Sequence, residues 1–304
     1  MTLTAPPTFR PAGGGPDLTR AALSGRRRLT NHLATAAIWA AVLLAVVPLA
    51  LVTYTVITRG GGVMSLSFLT EDIPNSYRRD GGGMAPAIVG TLLITGTAAL
   101  MAIPLGVFGA IYLNEYGKQR PLARLIRLMA DVMTGVPSIV MGLFVYLSWV
   151  LLVGAQTGFA GALALACLML PVVIRSSEEM LRLVPEELRQ ASMALGARKW
   201  QTTLTVVLPA AISGITSGSL LAVARAAGET APIIIVTGIV FSPNWNLFDG
   251  SNTALPAQIF RNASQPFDAA QDRAWGAALT LIVIVLGCTV LARLISRRFA
   301  TKER

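Results

Sequence analysis

The chain has 304 residues, 54% of them hydrophobic and only 13% charged, which excludes a water-soluble surface of ordinary charge density and makes lipid the expected solvent. Its net charge is +10, yet the basic residues border apolar stretches and do not gather in one patch with interleaved aromatics, so nucleic acid is excluded as a partner.

Met1 to Pro16 is rich in Pro, Gly and Thr and leads into Arg26, Arg27 and Arg28, so residues 1–32 read as a disordered, basic cytoplasmic tail. A membrane helix needs roughly 20 mainly apolar residues. Leu33 to Ile57 meets that length, exceeds the apolar region of a cleaved signal peptide, and reads as a retained span. Similar stretches follow at Ala87 to Leu113, Leu128 to Val153, Gln156 to Ile174, Ala210 to Val240 and Ala274 to Ile295. The expected fold class is therefore an all-α membrane protein of about six transmembrane helices, with a membrane domain over residues 33–298 and a short cytoplasmic tail at 299–304. The fourth and fifth spans have the least defined ends, because one stops at Arg175 and the other contains Arg225, Gly228, Glu229 and Pro232.

Placing both termini in the cytoplasm puts 19 of the 25 Lys and Arg residues on the inner side, the orientation that the positive-inside rule favours. Gly60 to Gly62 and Gly81 to Gly83 then read as hinges around the first outer loop, since neither run opens a strand-to-helix phosphate motif. Cys167 and Cys288 both fall inside spans and read as packing residues, not as a disulfide or a metal pair. The acidic Glu115 and Asp131 are expected to pair with nearby basic residues. Phe241 to Arg273 mixes Trp245, Phe248, Phe260 and Phe267 with polar residues, as either an interfacial aromatic belt or a docking surface would.

Between the fourth and fifth spans, at about residues 176–210, runs a segment too polar to cross lipid. Pro185, Glu186 and Glu187 suit a helix start, and Leu188, Ala191, Met193, Ala194 and Leu195 give an apolar surface before Gly196 ends the helix. Taken alone, such a helix also suits an anionic lipid surface. Its spacing decides more: Gln190, Ala191, Ser192, Gly196, Val206, Leu208 and Pro209 resemble the E-A-A-x3-G-x9-I-x-L-P signature of ABC importer permeases, with Gln for Glu, Ser for Ala and Val for Ile. That resemblance implies the type I ABC importer permease fold, with cytoplasmic coupling helices that dock into a separate ATPase. No G-x-x-x-x-G-K-[ST] phosphate loop occurs, so the chain is expected to bind no cofactor and to leave ATP and Mg to that partner.

In the fifth span Arg225 and Glu229 stand at i and i+4, on one face of a continuous helix. A charge near mid-bilayer costs about 2.5–3.5 kcal/mol on insertion scales. Either the two neutralise each other, or Arg225 offers planar, permanently charged donors to an oxyanion while Glu229 orients it. Gly228 and Pro232 are placed to break the helix beside them.

The blocks ARAAGETAP at Ala224 to Pro232, GGGMAPAIVGTL at Gly81 to Leu92, GVPSIVMGLFVY at Gly135 to Tyr146, LMLPVVIRSSEEMLRLVPEELRQASMALGARKW at Leu168 to Trp200 and LPAQIF at Leu255 to Phe260 resemble one narrow family. It is the PstA family, permease subunits of phosphate-specific ABC importers, and the resemblance covers nearly everything after the N-terminal tail. It implies a bacterial cytoplasmic (inner) membrane location, a homologous PstC-like permease, two PstB-like ATPase subunits and a PstS-like phosphate-binding protein as partners. It further implies that Arg175, in VVIRSSE, and Arg225, in VARAAGE, serve phosphate passage, although an arginine near a helix end such as Arg175 also suits snorkelling to headgroups. Three rivals remain: a permease for another oxyanion, a secondary transporter with charged groups near the midplane, and a membrane hydrolase. The coupling segment argues against the second, and the lone histidine, His32 at the start of the first span, leaves the third without a nucleophile and base.

Overall fold

The computed structural model describes residues 25–118 and 120–300; the rest of the expected N-terminal tail and residues 301–304 lie outside the described residues. Among the described residues every regular element is helical, with no strand. The described residues fall into two compact units, divided between Tyr54 and Thr55.

Helix α1 (Gly25–Val63), which begins in the first unit and ends in the second, already starts at Gly25, so residues 25–32 are helical and the expected tail is shorter than its composition indicated. Thr30 and Thr53 return their hydroxyls to the carbonyls of Arg26 and Leu49, one turn back, which satisfies them without water. The glycines expected as a hinge at 60–62 lie within α1, because a helix that continues in an apolar setting keeps its backbone bonds internal.

The second unit continues with α2 (Leu66–Thr70), α3 (Ala85–Gly117), α4 (Pro121–Gly135), α5 (Ser138–Val153), α6 (Gly158–Arg182), α7 (Glu186–Ala194), α8 (Lys199–Ala227), α9 (Ala231–Val236), α10 (Leu255–Ala263) and α11 (Asp268–Ala300). The centre is the packing of α3 on α6, flanked by α8. Its buried residues are mostly small: Ala98 and Ala102 of α3, Ala162 and Ala166 of α6, and Ala222 and Ala226 of α8. Small residues let helix backbones approach closely, which is how helices associate where lipid removes the hydrophobic drive between them. Apolar side chains such as Leu100, Leu105 and Phe108 on α3 point outward instead, as they must in a chain whose solvent is lipid.

Five helices are long and apolar enough to cross a membrane, and α4 with α5 makes a sixth if that bent pair counts as one span. The third expected span is thus not one straight helix: α4 and α5 meet at 107°. Pro137 removes a backbone donor and holds Val136 extended (φ −72°, ψ 129°), so the helix stops and restarts there. Two other boundaries move. Helix α6 continues past Arg175 to Arg182, and α8 starts at Lys199, so Val206, Leu208 and Pro209 lie within a helix and the true connection is residues 183–198 with α7 inside it. The fifth expected span breaks after Ala227, where Gly228 caps α8 and α9 begins only at Ala231.

Candidate functional site

The two breaks face each other. A cavity of about 230 Å³ lies between them, lined by Thr134 and Pro137 at the α4–α5 bend, Val172 of α6, and Arg225 and Glu229 around the α8–α9 break. Water occupies about 30 Å³ per molecule, so this space accommodates a small ion with several waters. The breaks are held in register by close approach: a side chain at Gly142 of α5 would come within 2.6 Å of the Pro232 backbone, so only glycine fits there.

Arg225 and Glu229 do not share a helix face as expected, because α8 ends between them. Their contact is loose, 3.9 Å from Nε to Oε1, and the Arg225 side chain is 72% exposed. A guanidinium so weakly held keeps most of its five coplanar donors free for an oxyanion.

Arg175 lies one turn beyond Val172 along α6. Its guanidinium contacts Asp131 of α4 and stands 3.7 Å from Glu178 of its own helix. Glu178 is 1% exposed and draws in two further arginines, Arg127 of α4 (Nε to Oε1, 2.8 Å) and Arg182 (Nη2 to Oε1, 2.6 Å). Arg127 also donates to the carbonyls of Leu113 and Lys118, which ties the end of α3 into the same cluster. Asp131 therefore does pair with a basic residue, as its position indicated, and so does Glu115, which meets Arg189 at 3.0 Å; Glu178 and Arg127 are structural centres that hydropathy alone did not single out.

Helix α7 forms where Pro185, Glu186 and Glu187 indicated, with both carboxylates in the first turn, favourable against the helix dipole. Gly196 takes φ +89°, and the chain turns there through Gly196 N to Met193 O (2.9 Å) and Ala197 N to Ser192 O (3.2 Å). Gln190 and Ala191 are exposed, while Ser192 bonds Thr202 of α8 at 2.9 Å. Leu208 is half-buried and Pro209 exposed within α8. The apolar residues Leu188, Met193 and Leu195 are exposed.

The residue that carries α7 is one the sequence reading passed over. Arg189 is buried and donates from Nε and Nη2 to Glu115 Oε1 (3.2 and 3.0 Å), from Nη1 to Val184 O (2.6 Å) and from Nη2 to Leu181 O (2.9 Å). It thus bolts α7 to the ends of both α3 and α6.

Gly196→Val should place a β-branched residue in the left-handed region, at a cost of about 1–3 kcal/mol. No neighbour would clash with it, so the strain acts on the turn alone. If this turn couples to a separate ATPase, as the sequence resemblance implies, the expected result is normal membrane insertion with uptake lost relative to ATP consumption. Wild-type coupling of the two in membrane vesicles would remove Gly196 from this role.

On the opposite side, Trp245, Phe248 and Phe260 are exposed, while Arg78 lies over the Phe267 ring at 4.9 Å. Arg273 is buried and closes the 77–81 loop through the carbonyls of Tyr77, Arg79 and Gly81.

Residues 102–304 match the family described as "Binding-protein-dependent transport system inner membrane component". The chain is 44% identical to "Phosphate transport system permease protein PstA 1" of Mycobacterium tuberculosis, with 93% of each chain covered. It belongs to the PstA permease family. The PstA of Yersinia pestis is 40% identical, with 91% of this chain and 92% of that one covered, and the PstA of Haemophilus influenzae is 35% identical over 88% and 94%. At the level of fold, a bacterial ABC transporter involved in the import of the acidic polysaccharide alginate matches with a TM-score of 0.60 at 16% identity, covering 89% of this chain and 99% of that one. The inward-facing MetNI methionine ABC transporter matches with a TM-score of 0.60 at 18% identity, covering 71% and 95%. This PstA family member thus has the type I ABC importer permease fold that its sequence led one to expect, and is a multi-pass inner-membrane transport component.

Proposed function

We propose that the chain is the permease subunit of an ATP-driven importer of inorganic phosphate and forms half of its translocation pathway. The observation that carries this reading is a loosely held arginine, Arg225, at a cavity bounded by two broken helices. Broken helices free backbone groups only where these line a cavity, and a charge at that depth is a pathway residue by default. The names of the relatives supply the substrate.

In this reading both termini are cytoplasmic and α7 lies on the cytoplasmic side. The substrate pathway runs past Arg225 and Glu229 toward Arg175. Gln190, Ala191, Ser192 and Gly196, with Leu208 and Pro209 on α8, transmit the movement of a partner ATPase that binds ATP and Mg. A PstC-like permease completes the pathway, two PstB-like subunits drive it, and a PstS-like protein delivers phosphate to the exposed aromatic side. The membrane supplies the remaining surroundings.

Labelled-phosphate uptake at low external phosphate, in cells lacking this chain with and without its restoration, tests the reading. Restored uptake that excess sulfate leaves untouched is the expected result; inhibition by sulfate would make the chain a broader oxyanion permease. Arg225→Gln should cut that uptake about ten-fold or more, since a hydrogen bond to a charged group is worth about 1.5–3 kcal/mol. Unchanged uptake at equal membrane amounts would take Arg225 out of the pathway.

A further inference from the structure

Helices α4 and α6 run antiparallel and are laced by charge. Arg127 meets Glu178, and one turn along α4 Asp131 meets Arg175. The next turn brings Thr134 and Val172, both of which line the cavity holding Arg225. The Asp131–Arg175 pair therefore stands one helical turn beyond the cavity lining, toward α7, while Arg225 and Glu229 line the cavity itself. The two carboxylates that reach Arg175 differ sharply. Glu178 is 1% exposed and fixed by Arg127 and Arg182, whereas the Asp131 side chain is 56% exposed and makes no other ion pair among the described residues.

We propose that Asp131 is an exchangeable stand-in for the transported oxyanion. It occupies Arg175 while the cavity is empty, yields the guanidinium to an anion coming from Arg225, and takes it back as the anion leaves for the cytoplasm. The proposal rests on the transport reading above and adds to it a positioning residue that acts through Arg175. The chemistry is competition between like ligands. A carboxylate presents the same paired oxygens to a guanidinium that a phosphate does, and an exposed ion pair is worth little enough to exchange. Glu178, too buried to move, keeps Arg175 aimed at the exit through either half of the cycle. Without Asp131 the anion would meet no competitor for Arg175 and would dwell there.

The test uses cells that carry the complete transporter and lack only this chain, restored with wild type or a variant. Initial rates of labelled-phosphate uptake are measured across phosphate concentrations and divided by the amount of chain in the membrane. Asp131→Asn is expected to lower KM and the maximal rate together, each several-fold, the pattern of an anion bound too well before its release step. Asp131→Glu, which restores the carboxylate, is expected to return both toward wild type. A merely structural tie between α4 and α6 has no reason to lower KM. Hence a lower maximal rate with KM unchanged or raised overturns the proposal, as do wild-type values of both. Asp131→Ser is measured alongside, and failure of both neutral variants to reach the membrane assigns Asp131 to folding and also overturns it. The wild-type arm, with excess sulfate as competitor, tests the transport reading separately. If it shows no sulfate-resistant phosphate uptake that reading fails, whereas a sound wild type with an unaltered Asp131→Asn sinks this inference alone.

Discussion

Arg189→Ala is expected to abolish coupled uptake and to lower the stability of the solubilised protein by about 3–5 kcal/mol, the usual consequence of removing one partner from a buried ion pair. Glu115 would be left buried, with the Asn114 amide, 2.8 Å away, its one remaining side-chain partner among the described residues. The carbonyls of Leu181 and Val184 would lose their donor as well. Each of those bonds joins α7 to an element that leads to the cavity, α6 directly and α3 through Glu115. Motion imposed on α7 would lose both of these routes to the pathway and keep the Ser192–Thr202 bond to α8. Arg189→Lys separates charge from geometry: it keeps the cation but cannot reproduce the fork that spans the Glu115 carboxylate and three carbonyls, so it should recover little. The decisive measurements are the thermal midpoint in detergent and uptake per ATP hydrolysed in vesicles. A wild-type midpoint with wild-type coupling for Arg189→Ala would show that α7 is joined to the body elsewhere.

The positions of the spans were legible because an apolar run of the required length can do little else in lipid, and α7 was legible because Pro185 and Gly196 mark its ends chemically. What stayed hidden had a common cause, that a charge pattern does not reveal its partner. Arg175, Glu178 and Arg182 looked like the start of a polar loop, yet α6 runs through all three because Arg127 and Asp131 come from α4 to neutralise them. Arg189 was invisible for a related reason. Three of its acceptors are backbone carbonyls, which every residue has, and the buried carboxylate it meets lies on α3, far away in the chain. At the α8–α9 break the sequence offered both halves of the answer. Spacing placed Arg225 and Glu229 on one helix face, while Gly228 and Pro232 argued for interruption, and the backbone preference of the latter pair won. The result bears on the proposed pathway: a continuous helix would have paired the two charges closely, and the break leaves Arg225 open to the cavity.

Glu178→Gln is expected to be the most damaging neutral substitution in the α4–α6 interface. The carboxylate stands among three guanidiniums, and one of its oxygens, Oε2, makes no hydrogen bond and faces Arg175 at 3.7 Å. An amide of nearly the same shape would keep the volume but remove the only buried negative charge in the cluster. It would also turn a donor toward arginines that have donors alone to offer. Arg127, Arg175 and Arg182 would then repel one another with Asp131 as their remaining counter-charge, and the link between α3, α4 and α6 through Arg127 would loosen with them. Breaking a buried pair in this way costs about 3–5 kcal/mol. The variant should reach the membrane in reduced amount and unfold at a lower temperature, while Glu178→Asp, with the charge retained on a shorter arm, should fall between. This pattern separates the residue from Asp131, whose loss is expected to alter KM with the fold intact. If Glu178→Gln accumulated and unfolded as the wild type does, the cluster would owe its arrangement to helix packing, and the charge lacing between α4 and α6 would follow the fold without holding it.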